Sequence, residues 1–416
     1  MEYVKVHLTD EVLEGILIKE DEKHLTLKLD SGYNIGISKH RISKIEKISE
    51  VEHQNNEKRL VKQNSGLPKV SILHTGGTIA SKVDYKTGAV TAKFEPSELI
   101  EMFPELRELA HIESELVSNM MSDDMRFMHY NILANAIAEN IKKHSPKGII
   151  ITQGTDTLHY TAAALSFIFE HLNVPVVIVG SQRSSDRGSS DSAINLISAV
   201  SFIVNTTLSG VFICMHEDMS DNTCTILNGL NARKMHSSRR DAFQSINKRP
   251  VARVNFFTKE IDYISEYPNT VLNSKGHLKI IPFKDLKIGF VISHPNMHHE
   301  ELDLFIDKKF DGLILEGTGL GHMPISVMDD HTKEHEKIKK SITELCKNMP
   351  VVMTPQTISG IVNMNVYSPG RELQEIGVIG NQSTLSPETA FIKLAWLLSQ
   401  GLDVKEEFMK DFRGEF

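Results

Sequence analysis

No apolar run in the 416-residue sequence approaches the 18 or so residues that a membrane-crossing helix needs, so a soluble protein without membrane contact is expected. The first residues, MEYVKVHLTDEVLEG, carry early acids and no apolar core, which excludes a secretory signal. Cysteine is scarce. Cys214, Cys224 and Cys346 form no CxxC pair and leave one odd, which suits a reducing cytoplasm and small buried side chains. Neither a GxxxxGK[ST] phosphate loop nor a GxGxxG fingerprint is present, so nucleotide binding has no anchor here. Low-complexity and coiled-coil signatures are missing too. A formal charge of −8 argues against nucleic acid as a partner of the whole surface. One local exception stands out: residues 232–253, ARKMHSSRRDAFQSINKRPVAR, carry seven Lys or Arg against the single acid Asp241. Such a stretch is usually a solvated face, with contact to RNA or a partner as the sharper alternative.

What is present is an organised globular chain with 40% hydrophobic residues, enough for two or three domains. Residues 1–50 hold five short, mostly alternating runs (VKVHL, EGILIKE, HLTLKLD, YNIGIS, ISKIEKI), which predict a small all-β module of the SH3-like barrel type. Residues 51–68 read as a polar linker. Residues 1–68 carry 11 Lys plus Arg against 12 Asp plus Glu, without the basic stripe of an independent RNA binder. From Lys69 onward short β-branched runs alternate with amphipathic stretches, including 97–109, 131–144, 161–172 and 191–204. This alternation predicts a doubly wound, mostly parallel α/β sheet over 69–270. The polar segment 269–286 reads as a crossing, and a smaller α/β unit over 285–416 ends in the helix PETAFIKLAWLLSQG.

Two Thr-Gly clusters carry the chemistry. LHTGGTIAS (73–81) follows KVSIL, and QGTDTLHY (153–160) follows GIIIT. Both fall at strand carboxyl ends, where open α/β sheets bind ligands. A threonine hydroxyl is a weak nucleophile that needs a base and an oxyanion site. Thr75 and Thr78 flank Gly76-Gly77, whose backbone can approach a substrate closely. Tyr85 is a candidate base or proton relay, Thr155 and Asp156 stand in the second cluster, and Lys234 heads the basic stretch.

The pair HTGGTIAS plus QGTDT resembles the two signatures of the bacterial-type L-asparaginases and glutaminase-asparaginases, over roughly Val70 to Phe416. The resemblance implies an asparaginase-like two-domain body with Thr78 as nucleophile, Tyr85 on the following loop, and Thr155, Asp156 and Lys234 as a relay. It also implies that Ser118, with Asn119 beside it in VSNMMSDDM, binds the substrate's α-carboxylate, that Asp156 takes the α-amino group, and that backbone N–H groups near Gly77 and Thr155 hold the oxyanion. A narrower resemblance, carried by the N-terminal β-module, HTGGTIASKVDYKTGAVT, GTGLGHMP and VNMNVYSPGREL, is to the D subunits of archaeal glutamyl-tRNA(Gln) amidotransferases. It implies a cytoplasmic glutaminase subunit without a metal or cofactor of its own. Its ammonia would pass to a partner, the E subunit, which binds Glu-tRNA(Gln) and uses ATP and magnesium, around a homodimeric core in a heterotetramer. The rival within the wider family is a free-standing L-asparaginase, which lacks the N-terminal module. A noncatalytic RNA-binding or scaffold subunit is the rival from another class.

Two departures bear on the resemblance. His322 stands where asparaginases usually have an asparagine of a GNGN-type loop, and MTPQT (353–357) replaces a Ser- and Cys-rich segment. His294, His298, His299 and Glu300 look superficially like metal ligands, but at the start of an expected helix they read as capping and surface groups.

Overall fold

The computed structural model describes residues 2–8, 11–29, 34–50, 63–77, 79, 81–83, 90–92, 99–100, 102–183, 189–266 and 276–416. At the N-terminus the five alternating runs form one antiparallel sheet. Its strands are Glu2–Leu8, Val12–Glu20, His24–Lys28, Asn34–Ser38 and Ile42–Glu50, with the first lying between the second and the fifth. Register shifts between Tyr3 and Val4, His7 and Leu8, and Leu17 and Lys19 bend the sheet. Val4, Val6, Leu8, Leu25, Leu27 and Ile37 bury a separate small core. The linker's end is tied down, since Gln63 exchanges two hydrogen bonds with the backbone of Ile112.

The central sheet has eight strands. In spatial order they are Ile261–Tyr263, Ala252–Asn255, Thr223–Asn228, Gly210–His216, Pro175–Val179, Gly148–Thr152, Lys69–His74 and His111–Leu116. The last five are mutually parallel, and their central members are buried throughout because helices cover both faces. Phe127–His144 and Leu158–Ile168 pack on one face, and Ser192–Asn205 on the other. The first three strands are antiparallel additions. Only residues 217–222 separate Gly210–His216 from Thr223–Asn228, too few for the crossover that a parallel neighbour requires.

Two expected helices are shorter than their apolar period. In 97–109 the chain is helical at 99–100, 102 and Leu106–Leu109, and Pro104, lacking an N–H, interrupts it. The helix expected over 161–172 spans Leu158–Ile168, because Phe169–Glu170 pairs instead with Lys279–Ile280 of the crossing segment. The helix Ser368–Ile376 escaped the sequence reading, although Pro in its first turn and Gly377 at φ +115 beyond its end are readable signals.

A second sheet of three parallel strands, Ile288–Ile292, Gly312–Gly317 and Val351–Pro355, is flanked by the helices Glu300–Asp307 and Glu334–Asn348. The helix Pro387–Gln400 buries eleven of its 14 residues, Glu388 and Lys393 among them. Its Ala390, Leu394 and Leu397 share one core with Ile314 and Val352 of the small sheet and with Leu165 and Phe167 of the large body. This helix welds the two α/β units together. No helix among the described residues is long and apolar enough to cross a membrane.

A fully buried ion pair lies within that weld. Lys393 Nζ donates to Glu415 Oε1 and to the Lys410 carbonyl, each at 2.6 Å. Removing one partner strands a buried charge, which costs about 3–5 kcal/mol. Glu415→Ala is therefore expected to lower the unfolding free energy from urea titration by that amount, shifting the midpoint down, and Lys393→Met with Glu415→Leu to recover most of the loss. An unchanged midpoint in the single variant would contradict the pairing.

Candidate active site

The two Thr-Gly clusters meet because their strands are neighbours in register. Lys69–His74 pairs with Gly148–Thr152 so that His74 stands opposite Thr152, and both loops leave the same edge. The adjacent strand His111–Leu116 delivers a third loop, residues 117–122. Backbone contacts knit the three loops together. Thr75 N–H donates to the Thr152 carbonyl at 3.0 Å, Met120 N–H to the Thr75 carbonyl at 3.1 Å, and Thr157 Oγ1 to the Ser122 carbonyl at 2.6 Å.

Gly76 and Gly77 are required by this crowding. Both have left-handed φ, +114 and +82. A Cβ on Gly77 would lie 2.4 Å from the Gly154 nitrogen, and one on Gly76 2.4 Å from the Met120 carbonyl oxygen. Thr75 is 2% exposed, and its hydroxyl donates to the Thr152 carbonyl at 3.0 Å. Its proton is committed to backbone, so Thr75 is a loop-building residue. Thr78 and Tyr85 lie outside the described residues.

Lys234 reaches Thr155 and Asp156 from 79 and 78 positions away. Lys234 Nζ donates to Thr155 Oγ1 at 2.8 Å and to Asp156 Oδ1 at 2.7 Å. The lysine side chain is 9% exposed and the aspartate 61%, so the ion pair spans the step from protein to solvent. Because the ammonium occupies a lone pair of Thr155 Oγ1, the threonine's own O–H points elsewhere and remains available as a donor. Asp156 and Lys234 line a cleft of about 410 Å³ with His159, Tyr160, Arg233 and Glu388 among its other walls.

Ser118 and Asn119 sit on the third loop. Asn119 is exposed, and Ser118 Oγ donates to the Thr75 carbonyl at 3.2 Å. To donate to a carboxylate, the Ser118 hydroxyl has to rotate away from that carbonyl.

Two buried histidines escaped the sequence reading. His74 is 2% exposed and bridges all three strands, with Nδ1 2.7 Å from Thr152 Oγ1 and Nε2 2.9 Å from Ser114 Oγ. Both partners are hydroxyls, which donate or accept, so either neutral tautomer is satisfied. Burial pushes its pKa down to about 4. His159 is pushed down to about 3, by burial first and then by the cations Arg233 and Lys234. The only sequence signal for His74 was its place directly before TGGT.

Other expectations resolve differently. Six of the seven cations in 232–253 are engaged internally: Arg233 with Glu388, Lys234 with Asp156, Arg239 with Asp241, Arg240 with Asp221, Arg253 with Glu217, and Lys248 with the Gly414 and Phe416 carbonyls. The stretch is a neutralised scaffold more than a basic face. His298, Glu300 and Glu334 bring ligand atoms within 4.8 Å of one another. However, Glu301 accepts the His298 N–H at 2.8 Å and Glu334 accepts the His299 N–H at 3.2 Å, so these acids cap the backbone and the expected side-chain cap from His299 is not formed. His322 packs edge-on against Tyr367, with centroids 5.4 Å apart. In MTPQT, Gln356 closes the end of the small sheet by donating to the Ser293 and Glu316 carbonyls.

Comparison with known proteins identifies the family of the fold. The family model "Asparaginase, N-terminal" matches residues 69–268, and "Glutaminase/Asparaginase C-terminal domain" matches 287–408. Among solved structures, the thermostable L-asparaginase from Thermococcus kodakarensis superposes with a TM-score of 0.73 at 28% identity, covering 84% of this chain and 99% of that one. L-asparaginase I from Vibrio cholerae gives 0.70 at 28% identity over 84% and 99%. The fold is thus of the glutaminase/asparaginase class. Residues 1–48 match the GatD N-terminal domain. The D subunit of glutamyl-tRNA(Gln) amidotransferase from Methanococcus maripaludis is 41% identical over all of this chain and 97% of its own length, and that from Methanosarcina barkeri 40% over 99% and 96%. The chain belongs to the family of glutamyl-tRNA(Gln) amidotransferase D subunits.

The buried histidines make acid stability a test of the site's scaffold. A histidine with a depressed folded pKa is neutral in the fold while the unfolded chain takes up a proton. Its contribution is full above pH 6.5 and is lost as pH falls toward about 4. At about 1.4 kcal/mol for each tenfold change in proton affinity, His74 contributes roughly 3 kcal/mol to this slope. Urea midpoints should fall steeply between pH 6.5 and 4.5, and His74→Asn should flatten that fall. A slope unaffected by His74→Asn would remove His74 as its source.

Proposed function

We propose that the chain is the ammonia-generating glutaminase subunit of a tRNA-dependent amidotransferase that converts Glu-tRNA(Gln) to Gln-tRNA(Gln). The observation that carries this reading is the contact of Lys234 Nζ with both Thr155 Oγ1 and Asp156 Oδ1, at 2.8 and 2.7 Å, beside the loop that leads into Thr78. Support also comes from the names of the relatives and from the N-terminal module.

In this mechanism Thr78 Oγ attacks the side-chain amide carbon of glutamine. Tyr85 or the Thr155–Asp156–Lys234 relay takes the hydroxyl proton and returns it to the leaving nitrogen, which departs as ammonia. Backbone N–H groups near Gly77 and Thr155 hold the oxyanion. Water then cleaves the γ-glutamyl ester, releasing glutamate and restoring Thr78. Ser118, with Asn119 beside it, holds the α-carboxylate, and Asp156 the α-amino group. Ammonia passes to the E subunit, which binds Glu-tRNA(Gln) and activates its γ-carboxylate with ATP and magnesium. The assembly is cytoplasmic, with this chain as a homodimeric core in a heterotetramer.

The test is glutamine-dependent amidation of Glu-tRNA(Gln) by the chain purified with that partner. Thr78→Ala is expected to abolish ammonia release from glutamine while amidation with added ammonium salts persists. Lys234→Ala is expected to lower kcat by about 10²–10⁴-fold, the usual worth of positioned proton transfer. A Thr78→Ala complex that still released ammonia would remove the nucleophile assignment. Efficient asparagine hydrolysis by the chain alone, without partner or tRNA, would favour the free-standing asparaginase.

A further inference from the structure

We propose that Arg233 and Glu388 are positioning residues that hold Lys234 in the relay, an inference that rests on the relay reading above. Lys234 ends the three-residue strand Ala232–Lys234, whose ladder partner is the equally short Phe243–Ser245. This two-stranded sheet stands apart from the eight-stranded one, so main-chain pairing alone gives Lys234 little support. The cleft of about 410 Å³ on its flank leaves a flexible side chain room to swing.

Two ties to the first turn of the helix Pro387–Gln400 supply the missing constraint. Arg233 Nη2 meets Glu388 Oε1 at 3.0 Å, with the glutamate side chain 9% exposed. Thr389 Oγ1 donates to the Leu230 carbonyl at 2.9 Å, fixing the turn that leads into the strand. The same helix also braces the other half of the relay. Phe391 packs edge-on against Tyr160, at 6.0 Å, in the helix that opens two residues after Asp156. One helical turn therefore fixes the distance between Lys234 and its partners.

The Arg233–Glu388 pair is a poor stabiliser for its own sake. Arg233 Nη1 and Glu388 Oε2 are buried without hydrogen-bond partners, so the contact is single-armed where a bidentate one is available to these groups. A desolvated pair of that kind contributes little net stability. What it does provide is a fixed point one residue from the catalytic ammonium, and displacements near 1 Å cost about 10²-fold in rate.

The test is steady-state glutamine hydrolysis by the complete amidotransferase. Glu388→Gln and Arg233→Gln are each expected to lower kcat about tenfold with KM within about twofold. Combining them should be no worse than the more damaging single change. Thr389→Val, which alters no charge, should lower kcat in the same way and serves if a charge variant fails to fold. In a Lys234→Ala background, Glu388→Gln should have no further effect, an outcome that a general structural defect would not produce. If Lys234→Ala is impaired but Glu388→Gln and Thr389→Val turn over normally, the positioning role is overturned and the relay survives. If Lys234→Ala is itself fully active, the relay reading falls and this inference with it.

Discussion

The candidate site depends on the register between two neighbouring parallel strands, Lys69–His74 and Gly148–Thr152. Their pairing sets His74 opposite Thr152, so the two Thr-Gly loops start from the same height on the same edge. A slip of one residue would turn every side chain to the other face. It would also break the His74 bridge to Thr152 and Ser114 and pull Gly77 away from Gly154. The apolar residues of both strands, buried on each face, make such a slip costly. Geometry at the loops is in this sense inherited from packing in the sheet.

Around that register the chain arranges two supports of different chemistry. Under the loops, a buried neutral imidazole joins three strands by side-chain hydrogen bonds. Beside them, an almost wholly buried helix from the far end of the sequence reaches the strand that carries Lys234. The glycines belong to the first support, since they let backbone meet backbone where any Cβ would collide. Cations of the 232–253 stretch belong to the second, because their charges are matched by Glu388, Asp156, Asp221, Asp241 and Glu217. The Lys234–Asp156 contact, open to solvent on the aspartate side, is where this rigid frame meets the surface.

Much of this was legible in the sequence where the cause is local. Apolar runs such as GIIIT announced buried strands, and the alternation in residues 1–50 announced a separate sheet. Pairings between distant residues left no such trace. Phe169–Glu170 carried a helical pattern until Lys279–Ile280 claimed it. The antiparallel end of the large sheet follows from the length of one turn, which the parallel prior outweighed. Lys234, 79 residues from Thr155, was placed only through resemblance to a known family, because no periodicity links the two. The Arg233–Glu388 contact, spanning 155 positions, had no signal at all.

The helix Pro387–Gln400 also has a consequence in time. A ribosome emits the chain from its N-terminus, and both loop clusters and Lys234 emerge long before residue 387. Until that helix arrives, the core shared by the two α/β units lacks its central member and the strand bearing Lys234 lacks its anchor. A nascent chain therefore holds every residue of the site without the means to align them. Alignment of these residues is therefore completed only at the close of synthesis, when the last long helix takes its place.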